Sequence, residues 1–444
     1  KSKYKAKSRQ AATLAVKLNE RDYLERHPYP SSLMKLSVML RIEGDISYCA
    51  TCRVLGVLND LLYWDFDKLP CTNTIQNWVA KTGLQHLESS QDSQTPKQVS
   101  LIVDESIRLG QERLLLALLV DAQKDKQEAL SMQDIDVFFM KGSPSWSGAI
   151  VEQELTKKLA KTGYEVVSFI SDQASNMKKS ARLLNIDHVP DISHAIASCL
   201  KRVFAKQEAY LDFTKQVTSY IRKGAQQDLS YLAPPKQRGK ARFLNQDKMV
   251  NWAKKMLQNL GKLSEKEYSF FEQLKQHQEM IATLDTCLQL AKKVGLLFKI
   301  EGLSFHTLQQ ANQCVRLIKA NTESELTIKF IEQLEGYFQI YEDVLNQYKQ
   351  QYQQADEDFA LHASSDVIES IFGKYKEKAN NCGLTGVTRL NLEIPLYSVD
   401  KQKLELIIPQ AIESKFIIDI QTWTEKHSTD NQLVRRVKFF KDCA

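Results

Sequence analysis

Apolar residues over the first 87 positions recur at helical rather than strand spacing. A basic segment at residues 5–25 carries Ala12, Val16 and Tyr23 at near-helical intervals. His27-Pro28-Tyr29-Pro30 then breaks it, since proline removes a backbone donor and disfavours helix in the residue before it. Ser31 and Ser32 can cap a helix through Glu43, with Leu33, Leu36, Met39 and Leu40 on one face and Gly44 as its stop. A second helix is expected at residues 47–62. Beyond Pro70, Thr72 or Asn73 caps a third at residues 74–81, closed by Gly83. Two short helices followed by a polar-faced third make either a helix-turn-helix unit or a plain three-helix bundle. On the first reading Thr74, Gln76, Asn77 and Lys81 face a DNA groove, and Ile75, Trp78 and Val79 pack inward.

Residues 88–97 are polar and broken by Pro96, so a domain boundary is expected there. The period then changes. Strands are expected at residues 99–103, 113–120 and 134–140, a helix at 147–161, a strand at 164–171, a helix at 175–185, a strand at 188–192 and a helix from 193 to about 206. This β-β-β-α-β-α-β-α order specifies the α/β class, a mixed sheet with helices on its faces. From there to residue 363 the strand signals fade and Leu, Gln, Lys and Glu take over, as in the helical run Ile331, Leu334, Phe338, Tyr341, Leu345. The expected organisation is a helical domain at 1–87, an α/β domain at 98–206, an all-α insertion at 207–363 and a closing helical region at 364–444.

Two strands of this pattern run into a carboxylate: Leu101-Ile102-Val103-Asp104 and Ser168-Phe169-Ile170-Ser171-Asp172. An aspartate at a strand end is commonly a turn or capping residue. Here the strand order changes the picture, because the first and fourth strands are expected side by side at the centre of the sheet. Glu369, on a helix at residues 364–378 capped by Ser364 or Ser365, is the candidate third acid, with Asp366, Asp356, Glu357, Asp358 and Glu393 as competitors. Three hard oxygen ligands suit Mg²⁺, which keeps part of its shell for water and phosphate. Two such ions about 3.5 to 4 Å apart stabilise both the attacking and the leaving oxygen of a phosphodiester.

Charge points the same way. The chain of 444 residues carries 60 Lys and Arg against 54 Asp and Glu, a net charge of +6. The cations cluster at residues 1–9, at Lys236, Arg238, Lys240 and Arg242, at Lys374, Lys376 and Lys378, and at Arg435, Arg436, Lys438 and Lys441. Each cluster alone reads as a solvated face; several beside candidate metal carboxylates favour a polyanionic partner. Eight scattered cysteines fit a reducing compartment, and Cys49, Cys52 and Cys71 form a zinc set only if His27 or His86 completes it. No stretch approaches the roughly 18 apolar residues of a membrane span, and no secretory leader opens the chain, so a cytosolic protein without membrane contact is expected. Position 1 is Lys rather than Met, which is compatible with a piece of a longer chain.

The order of these parts resembles that of DDE transposases, whose catalytic domain is RNase H-like. Ser171-Asp172-Gln173-Ala174-Ser175-Asn176-Met177 is similar to the second-aspartate motif of the hAT-like group, and Asp191-Ile192-Ser193-His194 resembles that group's Cys/Asp-x-x-His element. The chain as a whole looks closer to bacterial insertion-sequence enzymes. The resemblance implies an RNase H-like mixed sheet interrupted by the all-α insertion and preceded by a helix-turn-helix-type domain. It implies Asp104, Asp172 and Glu369 as ligands of two Mg²⁺ or Mn²⁺ ions, which would cleave double-stranded DNA at an element's ends and join the freed 3′-hydroxyl to target DNA. Asp191 and His194 would then orient a phosphate or a carboxylate, His194 serving equally well as a helix-start residue. Trp252 would stack on a flipped base, unless it is a core residue. Arg238, Lys240, Arg242, Lys374 and Lys376 would contact DNA. A homodimer or larger synaptic assembly in the bacterial cytoplasm, acting on chromosomal or plasmid DNA, is also implied. Two other readings stay open: an RNase H-like nuclease or resolvase without strand transfer, and an inert transposase-derived DNA-binding protein.

Overall fold

The computed structural model describes residues 22–64, 66–89, 97–124, 127–235, 243, 246–352, 359–378, 386–429 and 432–442. Most of the expected basic helix at 5–25 and of the polar boundary segment lie outside these residues. The strands are β1 (Lys97–Leu109), β2 (Glu112–Asp121), β3 (Asp136–Ser143), β4 (Tyr164–Ser171) and β5 (His188–Pro190). Three helices precede them, α1 (Ser31–Ile42), α2 (Tyr48–Leu61) and α3 (Thr72–Ser89), and α4 (Gly148–Leu159) lies between β3 and β4. Next come α5 (Ser175–Leu184), α6 (Ile192–Phe204), α7 (Glu208–Gln226), α8 (Gln246–Asn259), α9 (Glu265–Phe271), α10 (Gln278–Ile300), α11 (Phe305–Ala320) and α12 (Glu325–Tyr352). The chain closes with α13 (Asp366–Lys378), a 3-10 stretch Arg389–Ser398, α14 (Lys401–Ser414), α15 (Ile417–His427) and α16 (Gln432–Asp442).

The strands form one five-stranded mixed sheet in the order β3-β2-β1-β4-β5. β1, β2 and β3 make an antiparallel meander, and β4 pairs with β5 in parallel. Residues 114–120 of β2 are all buried, as a strand covered on both faces requires. Gly110, at φ +60°, takes the left-handed turn position between β1 and β2 that a side chain would disfavour. β1 is longer than the expected 99–103. Its pairing with β2 slips between Asp104, opposite Leu116, and Ile107, opposite Leu114, so one extra residue is accommodated and the strand continues to Leu109. Asp104 therefore sits at a bulge inside β1, not at its end.

The residues fall into two compact units. One gathers the chain up to Asp121, residues 131–166 and everything from Asp366 on; the other comprises residues 122–130 and 167–365. The break at Ser365–Asp366 lies two residues from the boundary expected at 364, whereas the units follow different lines from those at 87, 98 and 207, for a physical reason. α3 is buried along most of its length, and it packs on the 3-10 stretch, α14 and α15 as well as on α1 and α2. The N-terminal helices thus share a core with the C-terminal ones. Gly83, expected to stop α3, lies inside it. A Cβ built at Gly83 would meet the Leu392 carbonyl oxygen at 1.7 Å, so glycine here lets another backbone approach.

In the second unit, every described element from α6 to α12 is a helix. α10 and α12 both pack on α6, and the Tyr341 hydroxyl of α12 donates to the Pro190 carbonyl at the end of β5 at 2.7 Å. Phe298 stacks near Tyr341 and Phe338, with ring centroids 5.1 and 6.0 Å away.

Candidate functional site

Asp104 is half-buried at the β1 bulge. α13 packs against β1 within the same unit, burying Val367, Ile368, Ile371, Phe372 and Tyr375 and leaving Glu369 exposed. Asp366, one turn earlier, is half-buried. Of the competing acids, Glu393 is committed elsewhere: its carboxylate takes two bonds from Arg41, at 2.9 and 2.8 Å, and one each from the Tyr48 and Tyr397 hydroxyls. Burial and the Glu393 charge push both tyrosines upward, so they remain protonated donors. Asp356, Glu357 and Asp358 lie outside the described residues.

Asp172, in the second unit, follows β4 directly and is half-buried, its Oδ1 accepting the Ala174 N–H at 3.0 Å. That is the local bond of an Asx turn, and it fixes the carboxylate at the start of α5. Beside it, Ser171 Oγ lies 2.9 Å from Nε2 of His188, whose pKa burial lowers to about 4. His188 is neutral at pH 7. Nothing in its sequence context singled it out, because the pairing of β4 with β5 brings it there.

Asp191 and His194 are brought together. Oδ1 of the fully buried Asp191 accepts the His194 backbone N–H at 2.7 Å and lies 2.9 Å from His194 Nδ1, while Oδ2 accepts the Ser365 N–H at 2.6 Å. Burial raises the Asp191 pKa, but these bonds and the His194 charge outweigh it and hold the carboxyl below its usual value. Asp191 is thus the N-cap of α6 and also the anchor of Ser365, the residue just before α13.

The residues expected to read DNA on α3 have partners inside the first unit. Arg389 donates to Asn77 at 2.8 Å, to Gln76 at 3.0 Å and to Asn73 at 3.5 Å, a partner no motif announced. Lys81 is buried and donates to the Ile412 carbonyl at 2.9 Å; Thr74 Oγ1 lies 3.3 Å from Cys71 Sγ. Lys374 donates to the Ile42 carbonyl and sits 4.8 Å from the Tyr397 ring, and Lys376 is exposed with its ammonium 5.8 Å from the Phe372 ring. In the second unit, Trp252 donates to the Leu232 carbonyl at 2.9 Å and packs against Tyr220 and Phe271. Arg238, Lys240 and Arg242 lie outside the described residues.

Cys49 and Cys52 approach Thr72 Oγ1 at 4.0 and 3.6 Å. Among the described residues, no three or more His, Cys, Asp or Glu side chains are grouped so as to hold a metal ion, and this covers the cysteine set as well as the carboxylates. No helix there is long and apolar enough to cross a membrane.

No family model matches the chain, and no curated protein matches it. Among solved structures it is similar to the Drosophila P element transposase strand transfer complex, at 12% identity and a TM-score of 0.45, over 92% of this chain and 99% of that one. A likeness this distant assigns neither a family nor an activity.

Proposed function

We propose that the protein is a DNA transposase of the DDE type, with Asp104, Asp172 and Glu369 as its catalytic acids. The observation that carries this reading is the strand order β3-β2-β1-β4-β5. In the first unit it gives Asp104 to the middle strand, with Glu369 on a helix packed on β1; in the second, Asp172 follows β4. A bulge at Asp104 supports it further, since bulges re-aim side chains next to active sites. The basic excess suits double-stranded DNA, both element ends and target, and joining two ends calls for a homodimer or larger assembly.

Carboxylates are the right donors for Mg²⁺ or Mn²⁺, and the ions would polarise the scissile phosphate. The described side chains do not close a metal cage. What the chain's own residues supply is positioning: the Asp172 turn bond holds that carboxylate, and Asp191 holds the Ser365 N–H within the second unit.

The test is incubation of the protein with end-containing DNA and Mg²⁺ or Mn²⁺. The expected result is metal-dependent cleavage, with products joined to a second DNA. Cleavage without joining would make the protein a nuclease or resolvase. Binding with no cleavage under either metal would make it an inert DNA-binding protein.

A further inference from the structure

α4 ends in Lys157 and Lys158, followed by Lys161, and α15 ends in Lys426 and His427. In the first unit these helix ends line a cavity of about 630 Å³ floored by Phe138 and Met140 of β3. The acids in its wall are already engaged. Glu88 pairs with Lys415, Glu154 with Lys141 and Lys157, and Asp419 accepts the Phe416 N–H. Among the described residues no carboxylate forms an ion pair with Lys158, Lys161 or Lys426.

Lysines in a last helical turn have an ordinary explanation, the partial negative charge of the helix end. The convergence of Lys158, Lys161 and Lys426, from two helix ends, on one cavity goes beyond it. Trp423, also in the wall, is 6% exposed. Its ring is held by stacking on His427, with centroids 4.8 Å apart. Lys158 lies 5.7 Å from the Phe138 ring, and burial together with the Lys161 charge, against the opposing charge of Glu88, draws its pKa down to about 8.

We propose that this cavity binds a phosphate group, with Lys158, Lys161 and Lys426 supplying charge. The phosphate comes either from a nucleic-acid backbone or from a free phosphorylated compound. The inference does not rest on the three catalytic acids.

The experiment measures binding of inorganic pyrophosphate, by calorimetry, and of a short random-sequence duplex, by fluorescence anisotropy, to the full chain. Lys158→Gln and Lys426→Gln are each expected to weaken pyrophosphate binding about tenfold, with melting temperatures unchanged. If the duplex weakens in parallel and pyrophosphate displaces it, the source is a nucleic acid; if only pyrophosphate weakens, it is a free compound. A second measurement needs no variant: acetylation of Lys158, mapped by mass spectrometry, is expected to be suppressed by pyrophosphate. Unchanged affinity for both probes in the lysine variants, or undiminished acetylation at saturating pyrophosphate, would overturn the proposal. The Asp104→Asn protein is expected to bind pyrophosphate like its parent, so loss of cleavage and loss of this site are read separately.

Discussion

Arg41 and Glu393, 352 positions apart, form a buried ion pair in which Nε and Nη2 of the guanidinium both meet Oε2. The pair joins α1 to the 3-10 stretch, and the ring of Tyr48 covers the guanidinium at 4.4 Å. Removing one partner leaves a desolvated charge without its counter-ion. Glu393→Gln and Arg41→Met are each expected to cost about 3 to 5 kcal/mol in chemical denaturation. The double variant should lose less than the sum, since neither charge then stays buried alone. Additive losses would mean that the two side chains act independently.

Gly83→Ala tests the approach of the Leu392 backbone to α3. In an ordinary exposed helix interior this change stabilises. Here the added methyl has nowhere to go but into a carbonyl oxygen, and the contact is made by backbone that cannot swing aside as a side chain would. A loss of roughly 3 kcal/mol or more, or failure to accumulate as folded protein, is expected. A melting temperature at or above the parent's would contradict the packing.

His86 is buried and its pKa lies near 4, drawn down from 6.5 by burial and the Lys403 charge against the opposing charge of Asp136. Between these values the unfolded chain binds the proton and the folded chain does not, so stability rises with pH across that window. As pH falls from 6.5 to about 4, His86 is expected to remove on the order of 3 kcal/mol. His188, lowered to about 4 as well, acts in the same direction. Denaturation midpoints measured over this range should fall less steeply for His86→Gln. An identical slope would show that His86 does not titrate as a buried neutral group.

Asp191→Ala removes a helix cap and orphans the Ser365 N–H in one step. A loss of about 3 kcal/mol is expected. Asp191→Asn, which keeps an acceptor oxygen, should retain part of it. Equal losses for the two variants would show that the charge matters more than the cap.

Asp104→Asn, Asp172→Asn and Glu369→Gln are each expected to keep DNA binding and lose cleavage by a factor of about 10³ or more, since removing a group that stabilises the transition-state charge costs that much. Parent-like cleavage by one variant would release that residue from the site, and Asp366→Asn is then the next substitution to measure.

The β-rich part of the fold was legible because apolar runs such as Leu114 to Val120 admit few alternatives, and the caps Ser47 and Ser147 do mark the starts of α2 and α4. What local pattern does not carry is long-range. β1 appeared to end at Asp104 because Glu105, Ser106 and Arg108 interrupt the apolar run, whereas a one-residue bulge carries the strand past them. Gly83 looked like a helix stop because its reason for being glycine, Leu392, lies hundreds of positions downstream. Lys81 looked solvent-facing because a lysine's apolar stem and its carbonyl partner Ile412 cannot be inferred from helix spacing. For the candidate site, the strand placement of Asp104 and Asp172 follows local pattern. The choice of Glu369 over Asp366 depends on the rotation of α13 about its axis, which one turn of sequence barely constrains.

The first compact unit is assembled from three stretches of chain separated by the whole of the second. At ordinary synthesis rates of about 5 to 20 residues per second, Arg41 waits roughly 20 to 70 seconds for Glu393 to be made, 352 residues later. For that interval α3 has no 3-10 stretch to pack on, and its apolar surface is open to other chains. The helices made first are therefore among the last to find their place, and chaperone dependence during synthesis should trace to the N-terminal region rather than to the helices that follow it.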